Sequence, residues 1–264
     1  EQSPLPEKGI SSKQSVAEYS FCENKGGGIQ SSCITVQAAL ARKIQFNEKL
    51  RGHQDWDFAL RAGQEVGSKI GFIHRPLTRR FIAEGNVGMV SRNLDYQYSA
   101  IFLKDYKNYF SLTASAAYSA FVLERKRLVS TPKPRFGWNQ ILAYTFYFSY
   151  CAGLRRSVNL LESRCADINS RLRRDNVKHV ALIGYNDYTN FLLARLDRSI
   201  ETVLLIDRYK RVSTPFGNVK NAADLSGAEW DTVTLAIAMT DHHYSSMKDD
   251  VEKHAPNEIE LVQF

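Results

Sequence analysis

From residue 176 onward the chain alternates short apolar runs with helical stretches, and no other feature restricts the fold as much. Residues 177–183 read as a strand ending at Gly184, 189–198 as a helix, and 202–206 as a second strand followed by Asp207. A third strand over 232–237 precedes a helix over 242–254, and 259–264 reads as a fourth strand. Such alternation implies a parallel sheet covered by helices, because parallel neighbours need a crossover long enough to hold a helix. The expected class is α/β, with 175–264 as one small parallel-sheet domain.

The remainder reads differently. Residues 1–93 combine a Gly-rich loop, two expected strands (29–36 and 70–73) and a helix opening near Asp55 and running through Ala62. Residues 94–174 read as a helical extension: Asp95, Tyr98, Phe102 and Tyr106 recur at helical spacing, and 112–128 is Ala-rich with a basic end. Pro132 and Pro134 mark a break. The largely apolar run 141–154 is shorter than the roughly 20 residues a bilayer span requires. With Arg155 and Arg156 behind it, this run reads as a buried or dimer-forming helix, or as one lying at a membrane surface. An Arg-rich helix over 156–174 follows. Self-association and membrane-surface contact through 141–174 are therefore both expected options.

Charge divides along similar borders. Residues 1–138 carry 20 Lys and Arg against 12 Asp and Glu, 139–174 carry 6 against 2, and 175–264 carry 9 against 14. This asymmetry fits two units with different partners better than a uniformly basic surface. Charge alone leaves a sugar nucleotide, an anionic membrane surface and nucleic acid open for the basic first half. The sequence as a whole leads us to expect no nucleic-acid partner. A composition of 44% hydrophobic and 24% charged residues excludes a disordered or collagen-like chain. The four cysteines (Cys22, Cys33, Cys151, Cys165) form no C-x-x-C pair and no zinc-type spacing with histidine. Free thiols in a reducing compartment are the expectation. The expected location is cytoplasmic, with a peripheral position at the inner face of the membrane as the variant.

The richest stretch chemically is His53-Gln54-Asp55-Trp56-Asp57-Phe58-Ala59-Leu60-Arg61. An Asp-x-Asp pair can hold Mg²⁺ or Mn²⁺, but 50–54 form no buried strand to present it. A helix follows instead, so Asp55 stands at its start, where the helix dipole favours a carboxylate. That position suits a general base as well as a simple helix cap. Trp56 suits stacking on a sugar face or core packing. His53 and His74 suit diphosphate or metal contact, or a structural role. Arg79 and Arg80 suit diphosphate binding or a solvated pair.

These residues carry a resemblance. Gly27-Gly28-Ile29-Gln30-Ser31-Ser32, Phe46-Asn47-Glu48-Lys49-Leu50, the 53–61 stretch and Gly67, then Arg75-Pro76-Leu77 and Val90-Ser91, resemble in order the second half of family-2 glycosyltransferases. The resemblance covers about 15–130. It implies a partial A-type glycosyltransferase domain over 1–93, a helical connector over 94–174, and inverting transfer from a nucleotide-diphosphate sugar to a glycan or lipid-linked acceptor. Cell-surface polysaccharide biosynthesis is the implied setting. Asp55 matches the family's catalytic base, and Gln54 stands where many members carry Glu. Gln54, Trp56, Asp57 and Arg80 are the expected substrate-binding residues. The family's donor-binding half and its metal-binding Asp pair are not found upstream of residue 15. The expectation is that Glu1 falls inside a catalytic domain, that the ligands of the divalent metal (Mg or Mn) lie mostly outside this chain, and that the fragment has no transferase activity alone.

The C-terminal module resembles the small Rossmann-like domains appended to sugar-modifying enzymes and methyltransferases. Gly184-Tyr185-Asn186-Asp187-Tyr188-Thr189 keeps only the first glycine of a G-x-G-x-x-G turn, while Asp207 lies near the place of a ribose-binding acid. An accessory binding or scaffolding role is expected. An NAD(P)-binding, oxidoreductase-type module is the alternative, as is a non-enzymatic interaction module. Asp241-His242-His243 reads as a helix start with Asp241 as its cap.

Overall fold

The computed structural model describes residues 9–11, 13–26, 29–65, 70–73, 95–130, 132–185, 187–207, 213–214, 217–239, 244–255 and 259–264. The chain is α/β and divides into two compact units, with the border between Arg156 and Ser157.

The described residues of the first unit are helical and contain no strand. Helix α1 (Ala38–Ile44) is followed by α2 (Gln54–Gln64), α3 (Tyr96–Asp105) and α4 (Leu112–Tyr118). A π-helical turn, Ser119–Glu124, carries α4 into α5 (Arg125–Val129). Side-chain caps set two of these starts: Asp95 accepts from the Tyr98 amide at 2.6 Å, and Ser111 from the Ala114 amide at 3.3 Å. The core gathers Phe21, Leu60, Phe102, Leu103, Tyr118 and Leu123. Phe21 packs edge-on against both Trp56 and Tyr118, each at 4.9 Å.

Two expectations are corrected in this unit. Residues 29–36 hold a 3₁₀ turn, Ser31–Cys33, with all three residues exposed, rather than a strand. Residues 70–73 have no regular structure, and Ile70 and Ile73 are exposed. β-prone composition is insufficient there, because a lone strand leaves its backbone groups unpaired and no partner strand exists among the described residues.

The stretch Trp138–Arg174, called α6, joins two helical segments, as expected, but they meet at Tyr147 rather than near Arg155. It bends at Tyr147, whose φ of −131° and ψ of 39° leave the helical region. Its first half belongs to the first unit and its second half to the second.

The second unit is a six-stranded sheet. In chain order it runs β1 (His179–Ile183), α7 (Asp187–Leu193), β2 (Thr202–Ile206), β3 (Ser213–Thr214), β4 (Gly217–Lys220), α8 (Gly227–Asp231), β5 (Leu235–Ala238), α9 (Tyr244–His254) and β6 (Glu260–Gln263). Spatial order is β3-β4-β2-β1-β5-β6, and every pairing except β3–β4 is parallel. Val180 is the centre of the register, opposite Val203 on one side and Leu235 on the other. Four of the five residues of β1 and all four of β5 are buried, as expected of strands covered on both faces. The third strand begins three residues later than the sequence implied, because α8 ends at Asp231 and Thr232 caps it.

Candidate active site at the start of helix α2

The loop before α2 is held by α3. The Tyr98 hydroxyl donates to the Gly52 carbonyl at 3.0 Å and accepts from the Gly52 amide at 3.2 Å. His53 follows with φ 61° and ψ 16°, a left-handed conformation that is uncommon for a non-glycine residue. Packing fixes it: the imidazole stacks on Trp56 at 4.5 Å, meets Phe102 edge-on at 4.9 Å, and places Nε2 3.1 Å from the Ser99 hydroxyl. Burial in this aromatic setting lowers the His53 pKa to about 3, with Lys126 adding a smaller push in the same direction. His53 is therefore a neutral, packed ring that aims the start of α2.

Asp55 lies in the first turn of α2 and is half-buried. Its side chain makes no hydrogen bond or ion pair with another described residue. Gln54 is exposed, and its amide nitrogen donates to the Leu50 carbonyl at 2.6 Å. Trp56 is half-buried, with one face covered by His53 and Phe21 against its edge.

Asp57 is 0% exposed, and its carboxylate is used inside the protein. Arg61 donates Nε to Oδ1 at 2.8 Å and a second nitrogen to Oδ2 at 2.5 Å, while the Tyr106 hydroxyl donates to Oδ1 at 2.5 Å. Arg61 also donates to the Ile44 and Gln45 carbonyls at 2.6 and 2.7 Å, which ties the end of α1 to α2. The carboxylate keeps the Arg61 pKa above its usual value, mainly through the shared hydrogen bonds. Burial, and then the Asp57 contact, raises the Tyr106 pKa to about 12. Beside this cluster is an open hollow of about 330 Å³, lined by Phe46, Asn47, Arg61 and Tyr106 among others.

Asp55 and Asp57 thus do not act as a pair, since one side chain is uncommitted and the other is enclosed. Among the described residues no group of three or more His, Cys, Asp or Glu gathers as a metal site. Arg80, Arg79 and His74 lie outside the described residues, as do Gly27, Gly28, Gly67 and the 75–77 and 90–91 motifs.

In the second unit the strand order reverses between β1 and β5, where open α/β sheets offer a crevice at their carboxyl ends. Gly184, with φ 89°, makes the turn out of β1, and the Thr189 hydroxyl donates to its carbonyl at 2.7 Å. Asp207 is buried and accepts from the Tyr185 amide at 2.8 Å. The acid expected near a ribose is thus bonded to the backbone of the turn. Asn186 and Asp241-His242-His243 lie outside the described residues.

Sequence reading overlooked the Arg61–Tyr106 anchor, although Asp57 and Arg61 stand four apart on a helix, the spacing of an intrahelical ion pair. It also overlooked Tyr98, whose clamp on Gly52 has no local signal.

Over 120 residues, 45% of this chain, the sequence is 30% identical to the amylovoran biosynthesis glycosyltransferase AmsB of Erwinia amylovora. The match spans 38% of that protein's length. No family model matches the chain, and no solved structure matches it.

Proposed function

We propose that this chain contributes the acceptor side of an inverting glycosyltransferase of the family-2 kind, with Asp55 as general base. The donor would be a nucleotide-diphosphate sugar and the acceptor a glycan or lipid-linked sugar. The similarity to AmsB supports transfer of a sugar. The observation that carries the role of Asp55 is its uncommitted carboxylate at the first turn of α2, beside an aspartate whose own carboxylate is enclosed.

In this reading Asp55 takes the proton of the acceptor hydroxyl as its oxygen attacks the anomeric carbon, and the nucleoside diphosphate leaves from the opposite face. Asp57 and Arg61 hold the helix that presents the base, and Tyr98 and His53 hold the loop before it. Gln54 and Trp56 flank the acceptor position. The described acids do not fit a divalent metal site, so no ligand for Mg²⁺ or Mn²⁺ is assigned to them.

The test is sugar transfer by a polypeptide that carries this chain together with a donor-binding half, compared with its Asp55→Asn variant. Loss of a general base lowers kcat by about 10²–10⁴-fold. Turnover unchanged by the substitution would remove Asp55 from this role.

A further inference from the structure

The first half of α6 buries one side and leaves an aromatic side open. Gln140, Ala143 and Cys151 face inward, at 1%, 0% and 0% exposure. Trp138 is 68% exposed and Phe148 65%, and Phe136, Ile141, Phe146 and Tyr150 are exposed as well. Large apolar side chains grouped in this way mark a contact surface rather than ordinary scatter.

Charge identifies the partner. Between Glu124 and Glu162 there is no Asp or Glu, while seven Lys and Arg occur. Lys133 and Arg135 precede the aromatic patch, Arg155 and Arg156 follow it, and all four are exposed. A second copy of this face would set like charges together, which opposes self-association. An anionic surface instead meets the charge and the aromatic groups at once, because Trp and Tyr favour the boundary between headgroups and acyl chains. Among the described residues no helix is long and apolar enough to cross a membrane, so this helix would lie along the surface.

We infer that residues 133–156 form a docking surface for an anionic lipid bilayer, with Trp138 and Phe148 entering the interface and Arg135, Arg155 and Arg156 contacting headgroup phosphates. This holds independently of the chemistry served by Asp55.

The experiment is flotation of the full chain with vesicles of phosphatidylcholine alone, or with about one third phosphatidylglycerol. Binding is expected only to the anionic vesicles, and it weakens as added salt shortens the screening length. The paired substitutions Trp138→Ser with Phe148→Ser, and Arg155→Glu with Arg156→Glu, each lower binding at least about tenfold. Circular dichroism checks that both variants keep the parent's helix content. The proposal is overturned by absence of flotation at low salt, by equal flotation on neutral vesicles, or by variants that bind like the parent. It is also overturned if sedimentation finds a dimer that the aromatic substitutions dissolve while vesicles remain unbound.

Discussion

Asp57 holds Arg61 through both carboxylate oxygens, one turn along the same helix, and Arg61 reaches on to the last carbonyls of α1. An ion pair within α2 is therefore tied through Arg61 to the end of α1. Removing the carboxylate leaves a partly buried guanidinium without its counter-charge, which costs about 3 kcal/mol. Asp57→Ala is expected to speed hydrogen exchange at the α1 and α2 amides together. Tyr106→Phe removes the hydroxyl that donates to Asp57 and costs about 1 kcal/mol.

His53 makes stability depend on pH. Its folded-state pKa, about 3, lies below the unfolded value near 6.5, so between these the unfolded chain binds a proton that the folded chain refuses. Stability is thus complete above about pH 6.5 and falls as pH drops toward 3, by about 1.4 kcal/mol per pH unit from this group. Near pH 5 the loss is about 2 kcal/mol. Urea unfolding at several pH values checks it, and His53→Gln should flatten the slope. Lys126→Met should raise the His53 pKa in an NMR titration, since Lys126 is the charge that pushes it down.

Gly63 sits where α2 closely approaches Val16. A Cβ there would meet Val16 Cγ2 at 2.5 Å, and Val16 is buried and β-branched. Gly63→Ala adds about 1 kcal/mol of helix propensity but forces the contact apart at a cost of about 1–3 kcal/mol. Net destabilisation is expected in thermal unfolding, with recovery when Val16→Ala is added.

The thiols should separate by rate. All four cysteines are free; Cys33 is exposed, whereas Cys151 and Cys165 are buried. Burial raises the pKa of both buried thiols to about 11. Their thiolate fraction at neutral pH is then about a hundredfold below that of an ordinary cysteine, apart from any loss of access. Timed labelling should modify Cys33 first and should reach Cys151 and Cys165 only on unfolding.

The second unit was legible because its apolar runs are bounded by turns and alternate with helices. Its β3–β4 hairpin was not, since two- and four-residue strands carry too little pattern. Helix α8 carries a local signal of its own, since Ser226 and Glu229 form a capping box. At 29–36 and 70–73, strand propensity misled because pairing depends on a partner elsewhere in the chain. Near the candidate site, α2 was placed within two residues, and Asp55 falls in its first turn as expected. The partners of Asp57 and His53 were hidden, because Tyr106, Tyr98 and Ser99 lie far along the sequence and are brought close only by packing.

The position of β1 in the sheet bears on the order of assembly. It pairs with β2 after one crossover, but with β5 only once everything from α7 through α8 has been gathered in. Closing so long a segment before any ladder rewards it is slow. The far edge comes later still: β6 pairs along β5, and the Phe264 amide donates to the Ala238 carbonyl. Until residues 260–264 have emerged from the ribosome, β5 presents an open apolar edge, the kind of surface to which other unfinished chains adhere.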